Sequence, residues 1–418
     1  MINRNTILTV GLLLLSVIFF TRCLDKSSKS QGPANSSLTG FAGAEACRSC
    51  HQDIYNQHAN TMHYKTSALA STATVMADFA DSAHNRFYFN NNLYIAAEKR
   101  GDSLFQTVYQ NQQPKLSRPF NFVTGSGRHG QTFLYWHQNY IFQLPLTYFS
   151  ATNEWTNSPG YSAGKVQFNR PVTARCLECH STYFKEETSS NARADQFSKN
   201  DLILGIQCEK CHGPAVNHVA YHQQYPADTV PAHIARSTMF NRTQQLDMCR
   251  YCHGGRLSKI KPSFSYTAGA SLFDYFSKDS ANAQTAEPDV HGNQYGLLAA
   301  SQCFIKSNIT CGSCHSPHAN QHNNTQWFVA KCNGCHTAPQ STCKLAGKQP
   351  AAFLANNCID CHMPKQASKT ILVLQQGASV PLAAFMRTHK IAVYADTAAN
   401  IILKQTNTPR KIKNSNAR

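Results

Sequence analysis

The chain opens on an apolar run, Ile7 to Phe20, broken only by Thr9, Gly11 and Ser16. That is the length of a signal-peptide core and short for a membrane span, and Arg4 supplies the positive flank before it. Cys23 follows at once, and then a polar, Ser-rich stretch from Ser27 to Thr39. Residues 1–23 therefore read as an export signal. A cysteine in this place suggests lipoprotein processing, with Cys23 as the lipidated first residue and 24–40 as a flexible linker. Phe20-Thr21-Arg22 matches the usual small-residue lipobox poorly, so an ordinary cleaved signal or a retained anchor stays open. No 20-residue apolar run occurs after residue 23.

The next marked pattern is aromatic and β-branched. Arg86 to Ile95, Ser103 to Tyr109, Gln131 to Trp136 and Asn139 to Leu144 predict an antiparallel meander of four to six strands. It forms a β-rich insert over 85–150, with the Gly-rich turn Thr124 to Gly130 inside it. Near the end, Thr370 to Leu374 is apolar and Pro381 to Tyr394 reads as a packed return segment. The basic, polar stretch from Lys404 places a disordered tail over 396–418.

The cysteines change this picture. Of 17 cysteines, 14 fall in seven copies of Cys-x-x-Cys-His. The copies are Cys47, Cys50 and His51; Cys176, Cys179 and His180; Cys208, Cys211 and His212; Cys249, Cys252 and His253. Then come Cys311, Cys314 and His315; Cys332, Cys335 and His336; Cys358, Cys361 and His362. This spacing is the attachment signal of haem c. Two thiols three residues apart, on a turn running into a helix, add to the two vinyl groups of one porphyrin. The histidine that follows reaches the iron as proximal ligand. Zinc would use the cysteine pairs but has no role for each following histidine. A disulfide scaffold has no role for it either.

Successive motifs start 129, 32, 41, 62, 21 and 26 residues apart. The short gaps leave little room for a separate apolar core. The expected class is mainly α and irregular, a haem-cored multihaem cytochrome with a small antiparallel β-rich insert between sites 1 and 2. A first haem segment covers 41–84 and a six-haem domain 151–395. The 40 Phe and Tyr residues exclude uniform disorder. Lys and Arg exceed Asp and Glu by 17. A ferric haem c with two histidine ligands carries about −1, so seven lower this to about +10. Lys and Arg are then expected to neutralise propionates, and no nucleic-acid motif accompanies the charge.

Gly205 to Pro214, Cys314-His-Ser-Pro-His318 and Cys361-His-Met-Pro364 resemble the multihaem c-type cytochromes. That group includes cytochrome c nitrite reductase, hydroxylamine oxidoreductase and their electron-carrier relatives. Gly125-Ser-Gly-Arg-His129 and Ser158-Pro-Gly-Tyr161 are similar to segments of exported multihaem cytochromes. The resemblance implies haems packed in close pairs and electron transfer. Unlike typical nitrite reductases of this group, the chain has no Cys-x-x-Cys-Lys, and it has seven motifs where the octahaem enzymes have eight.

Distal ligands separate carrier from enzyme. Seven of the 19 histidines are proximal, and seven more would cap every iron. His63, His218, His318 and His389 are the best placed, and His129 and His291 come next. His84, His137 and His233 are weaker candidates, and His58, His222 and His322 read as solvated or as propionate partners. Cys303 and Cys343 could close a disulfide around sites 5 and 6. The expected function is single-electron transfer by an exported heptahaem cytochrome in a respiratory pathway. Its partners would be membrane quinol-oxidising or terminal reductase complexes, and its location the periplasm or cell envelope, with a possible lipid anchor at Cys23. The alternative is a multihaem oxidoreductase acting on a small nitrogen or sulfur compound at one open iron.

Overall fold

Alternating burial along the aromatic segments builds two facing antiparallel sheets. The computed structural model describes residues 38, 40–187, 194–279, 288–337 and 343–406. The export segment, Cys23 and the last residues of the basic tail lie outside these. The first strands are β1 (Ser67–Leu69), β2 (Arg86–Asn90), β3 (Leu93–Arg100), β4 (Ser103–Gln110) and β5 (Gln113–Pro119). Then come β6 (Phe122–Thr124), β7 (Gly130–His137), β8 (Tyr140–Phe149), β9 (Glu154–Asn157) and β10 (Arg170–Pro171). Strands β2 to β5 form a four-stranded meander. A six-stranded sheet runs β1-β6-β7-β8-β10, with β9 also on β8.

The run Arg86 to Ile95 spans two strands. Asn91 and Asn92 turn the chain between β2 and β3, because short polar side chains stabilise tight turns. The inward positions Ile95, Phe133, Leu144 and Leu146 are fully buried, and Phe120 stacks on Phe133 with centroids 4.5 Å apart. Gln106 of β4 staples the two sheets. Its buried amide donates to Leu146 O and accepts from Leu146 N of β8, both at 2.8 Å. Gly125 (φ +101°) lets the turn close, since a Cβ there would sit 2.6 Å from Gly130 O.

Two hairpins complete the β structure: β11 (Ser181–Glu187) with β12 (Gln196–Leu204), and β13 (Lys365–Val373) with β14 (Leu382–Arg387). The expectation of a mainly α and irregular molecule with one small insert is therefore corrected. Among the described residues strand rivals helix, and the β sandwich carries a core of its own around Phe133 and Trp155. The reason is local: alternating aromatic and β-branched residues bury one sheet face without any cofactor. The tail is corrected as well. Ala395–Thr406 is a helix packed against the Cys358–His362 helix, and its Ala-rich start and the pair Ile401, Ile402 favour that state.

Candidate functional site

Each motif occupies a single turn. Motif 2 closes the helix Ala174–His180, and motif 4 closes Arg242–His253, which starts on a capping box between Asn241 and Gln244. Motifs 3 and 7 are one-turn helices, Cys208–His212 and Cys358–His362. In motifs 1, 5 and 6 the histidine N–H donates to the carbonyl of the first cysteine at 2.9 Å. One α-turn thus sets the first thiol and the imidazole on the same side. The expected turn running into a helix is reversed in motifs 2 and 4, where the helix runs into the motif and ends on its histidine.

The variable residues inside the motifs hold the segments together. Glu209 is buried and accepts from Ala42 N (2.8 Å), Gly43 N (2.9 Å) and Ala215 N (2.8 Å), tying motif 3 to the start of motif 1. Glu178 is also buried. It pairs with Arg175 at 3.2 Å and accepts from Phe264 N at 2.8 Å. Arg175 in turn donates to Tyr251 O of motif 4. Asp360 pairs with Arg387 of β14. Sequence reasoning missed these three. The available signal was acidic side chains placed between paired cysteines in a chain with only 22 acids.

The imidazoles meet in pairs. His51 faces His218 at 6.5 Å with planes 11° apart, and His212 faces His318 at 5.9 Å and 9°. His315 and His389 stand 6.1 Å apart at 30°, and His63 and His253 6.1 Å apart at 60°. An iron bound by a ring nitrogen about 2 Å away on each side holds two imidazole centroids about 6 Å apart, whatever the twist between the planes. Each pair joins a motif histidine to one from another segment. His291, with burial the larger cause, helps to hold His180 in its neutral form.

Ring orientation agrees with this. Nδ1–H donates to Ala235 O in His212, to Ala232 O in His218 and to Ala392 O in His362, each at 2.8 Å. Nδ1 of His180 meets Thr66 Oγ1 at 3.0 Å, and that of His253 meets Gln294 Oε1 at 3.1 Å. An acceptor on Nδ1 leaves Nε2 with its lone pair free, as a metal ligand requires. Burial pushes His63, His180 and His389 down to about 4, with neighbouring imidazoles adding to it, so all three are neutral at pH 7. These residues fit haem c: thiols for the vinyl groups and opposed imidazoles for the iron.

The other histidines have different surroundings. His58 is corrected from a solvated or propionate-binding residue. It is buried, with Nδ1 3.1 Å from Pro317 O and Nε2 2.9 Å from Ile206 O, so neither nitrogen is free. Although its ring lies 6.2 Å from His318, it is a structural bridge. His222 binds Asp228 O at 3.1 Å, and His233 rests on Tyr221. His84 and His137 are exposed on the β insert. His129 and exposed His322 stand near Arg128 and Lys365.

Neither alternative use of the thiols is built. Among the described residues no three His, Cys, Asp or Glu side chains gather as a zinc site requires. All 16 described cysteines are free, Cys303 and Cys343 included, so the bridge the sequence left open is not formed. Thiols of different motifs approach each other instead, Cys47 with Cys208, Cys179 with Cys252 and Cys249 with Cys311.

The architecture is similar to that of the outer cell wall cytochrome OcwA, with a TM-score of 0.54 and 15% identity over 87% of this chain and 81% of that one. The fold is a cytochrome fold. Residues 146–213, which carry motifs 2 and 3, match the family described as cytochrome c554 and c-prime. No curated protein matches the sequence. In this cytochrome fold side chains in and beside the motifs tie the motif segments to one another. Glu209 joins motifs 1 and 3, and Arg175 joins 2 and 4. Lys210 of motif 3 lies 4.9 Å from the Tyr251 ring of motif 4. Arg242, on the motif 4 helix, donates to Ile309 O just before motif 5, and Trp327, on the motif 6 helix, donates to Cys314 O at 3.1 Å.

Proposed function

We propose that the chain is an exported multihaem c-type cytochrome that binds seven haems covalently and passes single electrons between them. The observation that carries this reading is the set of four imidazole pairs at 5.9 to 6.5 Å, each taking one histidine from a Cys-x-x-Cys-His motif. When bound, haem c supplies the one-electron chemistry of its iron. The chain supplies ligands and spacing. His218 caps site 1, His318 site 3, His63 site 4, His389 site 5 and His291 site 2. Two neutral imidazoles on one iron favour a low-spin centre whose geometry changes little between oxidation states, which suits outer-sphere transfer. The contacts between motif segments keep the sites close.

Export is supported by residues 1–23 and by the attachment chemistry, since thioether formation to exported apocytochromes takes place outside the cytoplasm. The name of OcwA places that protein in an outer cell wall, which fits a cell-envelope location here. No helix among the described residues is long and apolar enough to cross a membrane. Lipidation of Cys23 would tether the molecule beside membrane quinol-oxidising or terminal reductase complexes as its redox partners.

Intact-mass measurement of the mature protein tests the reading. The expected excess over the polypeptide is seven haems, falling by one in Cys311→Ala/Cys314→Ala. A wild-type protein carrying none, or zinc in their place, overturns it.

A further inference from the structure

The two residues between the cysteines of motif 3 carry opposite charges and reach opposite neighbours. Glu209 is buried and accepts from Ala42 N (2.8 Å) and Gly43 N (2.9 Å), just ahead of motif 1, and from Ala215 N (2.8 Å). Lys210 turns the other way. Its Nζ lies 4.9 Å from the ring of Tyr251, which stands between the cysteines of motif 4, and 4.9 Å from the Phe264 ring. It also donates to Thr182 O at 3.3 Å. Two aromatic faces and a carbonyl suit an ammonium. Burial works against that charge, and the carboxylate of Glu178, bonded to Phe264 N at 2.8 Å, works for it.

The charges beside these motifs do not cancel evenly. Motif 1 has the buried Glu209 and an exposed pair, Arg48 with Glu45 at 3.4 Å, which water screens. Motif 4 has three cations. Arg175 stands 5.2 Å from the Tyr251 ring and Lys210 4.9 Å from it, and Arg250 lies over the Phe273 and Tyr295 rings at 4.7 and 4.4 Å. Two buried carboxylates oppose them: Glu178, on Arg175 at 3.2 Å, and Asp247, which accepts from Leu272 N at 3.1 Å. Among these side chains, motif 1 is left with one negative charge and motif 4 with one positive charge, while Glu209 and Lys210 offset each other at motif 3. Vinyl groups and propionates occupy opposite edges of the porphyrin. Side chains set between the attaching cysteines are therefore not placed to neutralise propionates.

We infer that Glu209 and Lys210 set a step in reduction potential between the haems of motifs 1 and 4, low at site 1 and high at site 4. A carboxylate favours ferric iron, which carries one more positive charge, and an ammonium favours ferrous iron. One electron leaves ferrous site 1, passes through site 3 and reduces ferric site 4. Site 1 is oxidised, site 4 is reduced, and nothing else is consumed. The order 1, 3, 4 departs from the order of the motifs along the chain, and motif 2 joins it where Arg175 donates to Tyr251 O. The inference rests on the seven-haem reading and gives that array a direction. Neither side chain is an iron ligand; each acts on the iron through its field.

A redox titration of the full-length holoprotein, followed by electron paramagnetic resonance, tests it, with a haem count on the same sample. The ring planes of His51 and His218 stand 11° apart and those of His63 and His253 60° apart. A near-parallel pair gives a rhombic low-spin ferric signal and a twisted pair one with a larger principal g value, so the two sites are told apart. The signals lost in His218→Ala and in His63→Ala confirm the assignment. Lys210→Gln should move the site 4 signal to lower potential, and Glu209→Gln should move the site 1 signal to higher potential. Lys210→Arg, which keeps the charge, should leave site 4 where it is. An unmoved site 4 in Lys210→Gln overturns the inference, as does an equal shift in Lys210→Arg, which would assign the effect to packing. Should the variants not accumulate, the wild type still decides, because a twisted-pair signal reduced at lower potential than every rhombic one overturns it. A wild-type count other than seven is a failure of the parent reading, separate from all of these.

Discussion

Glu209, which lies between the two cysteines of the third motif, accepts a hydrogen bond from the backbone N–H of Gly43 at 2.9 Å, just ahead of the first motif. Its other oxygen takes Ala42 N and Ala215 N. One buried carboxylate therefore fixes the entry of the chain against the start of the next helix, Val216–Gln224.

Glu209→Ala leaves three N–H groups without their acceptor, and each buried donor left unpaired costs about 1–3 kcal/mol. The variant should lose at least about 3 kcal/mol in denaturant unfolding followed by haem absorbance. Glu209→Gln, which keeps one acceptor oxygen, should recover part of it. A loss below about 0.5 kcal/mol in Glu209→Ala would mean the clamp is solvated instead.

His318 and His58 are neighbours with opposite expected behaviour. His318→Ala should convert one low-spin haem to high spin in the electron paramagnetic resonance spectrum and raise the potential of one centre. His58→Ala should leave every spectral signature in place and cost about 1 kcal/mol of stability, from the lost buried hydrogen bond to a carbonyl oxygen. A spectral change in His58→Ala would exchange the two assignments.

On the β insert, Glu98 accepts from Tyr109 Oη (2.6 Å), Thr107 Oγ1 (2.9 Å) and Arg100 (2.6 Å). Burial pushes its carboxyl up, but these three bonds outweigh burial and hold it below the usual 4.5. A depressed carboxylate stabilises the fold above its unfolded-state value, and that contribution is lost as pH falls through its folded value. Glu98→Gln should therefore be less stable than wild type at pH 7, by about 1 kcal/mol or less given its partial exposure. The gap should shrink as pH falls below 4.5. Thermal melts at pH 7 and pH 3.5 check this; an undiminished gap at the lower pH is incompatible with it.

Cys23→Ser addresses location. If Cys23 carries the lipid, the variant moves from the membrane fraction to the soluble envelope fraction with its haem content unchanged. Retention in the membrane would assign the anchor to Ile7 to Phe20.

The sequence by itself determined what is local. Cys-x-x-Cys-His is one turn of chain, so the two thiols and the proximal imidazole of each site are set within five residues. Strand alternation in Gln131 to Trp136 likewise needs only its own neighbours to be read. His63, His218, His318 and His389 could be singled out by position, but not matched to sites. Only the tertiary structure set His318 against His212 while locking the adjacent His58 onto Pro317 O and Ile206 O. Nothing in the few residues around either histidine distinguishes a ligand from a bridge. The same holds for Gln106, whose amide joins two sheets across 40 residues, and for Glu209, whose partners lie up to 167 residues away. It holds also for the last helix, whose polar sequence from Lys404 looked like a free tail until the Cys358–His362 helix gave its apolar side a surface to cover. Covalent spacing is written in the chain at short range, whereas pairing between distant groups depends on how the segments pack.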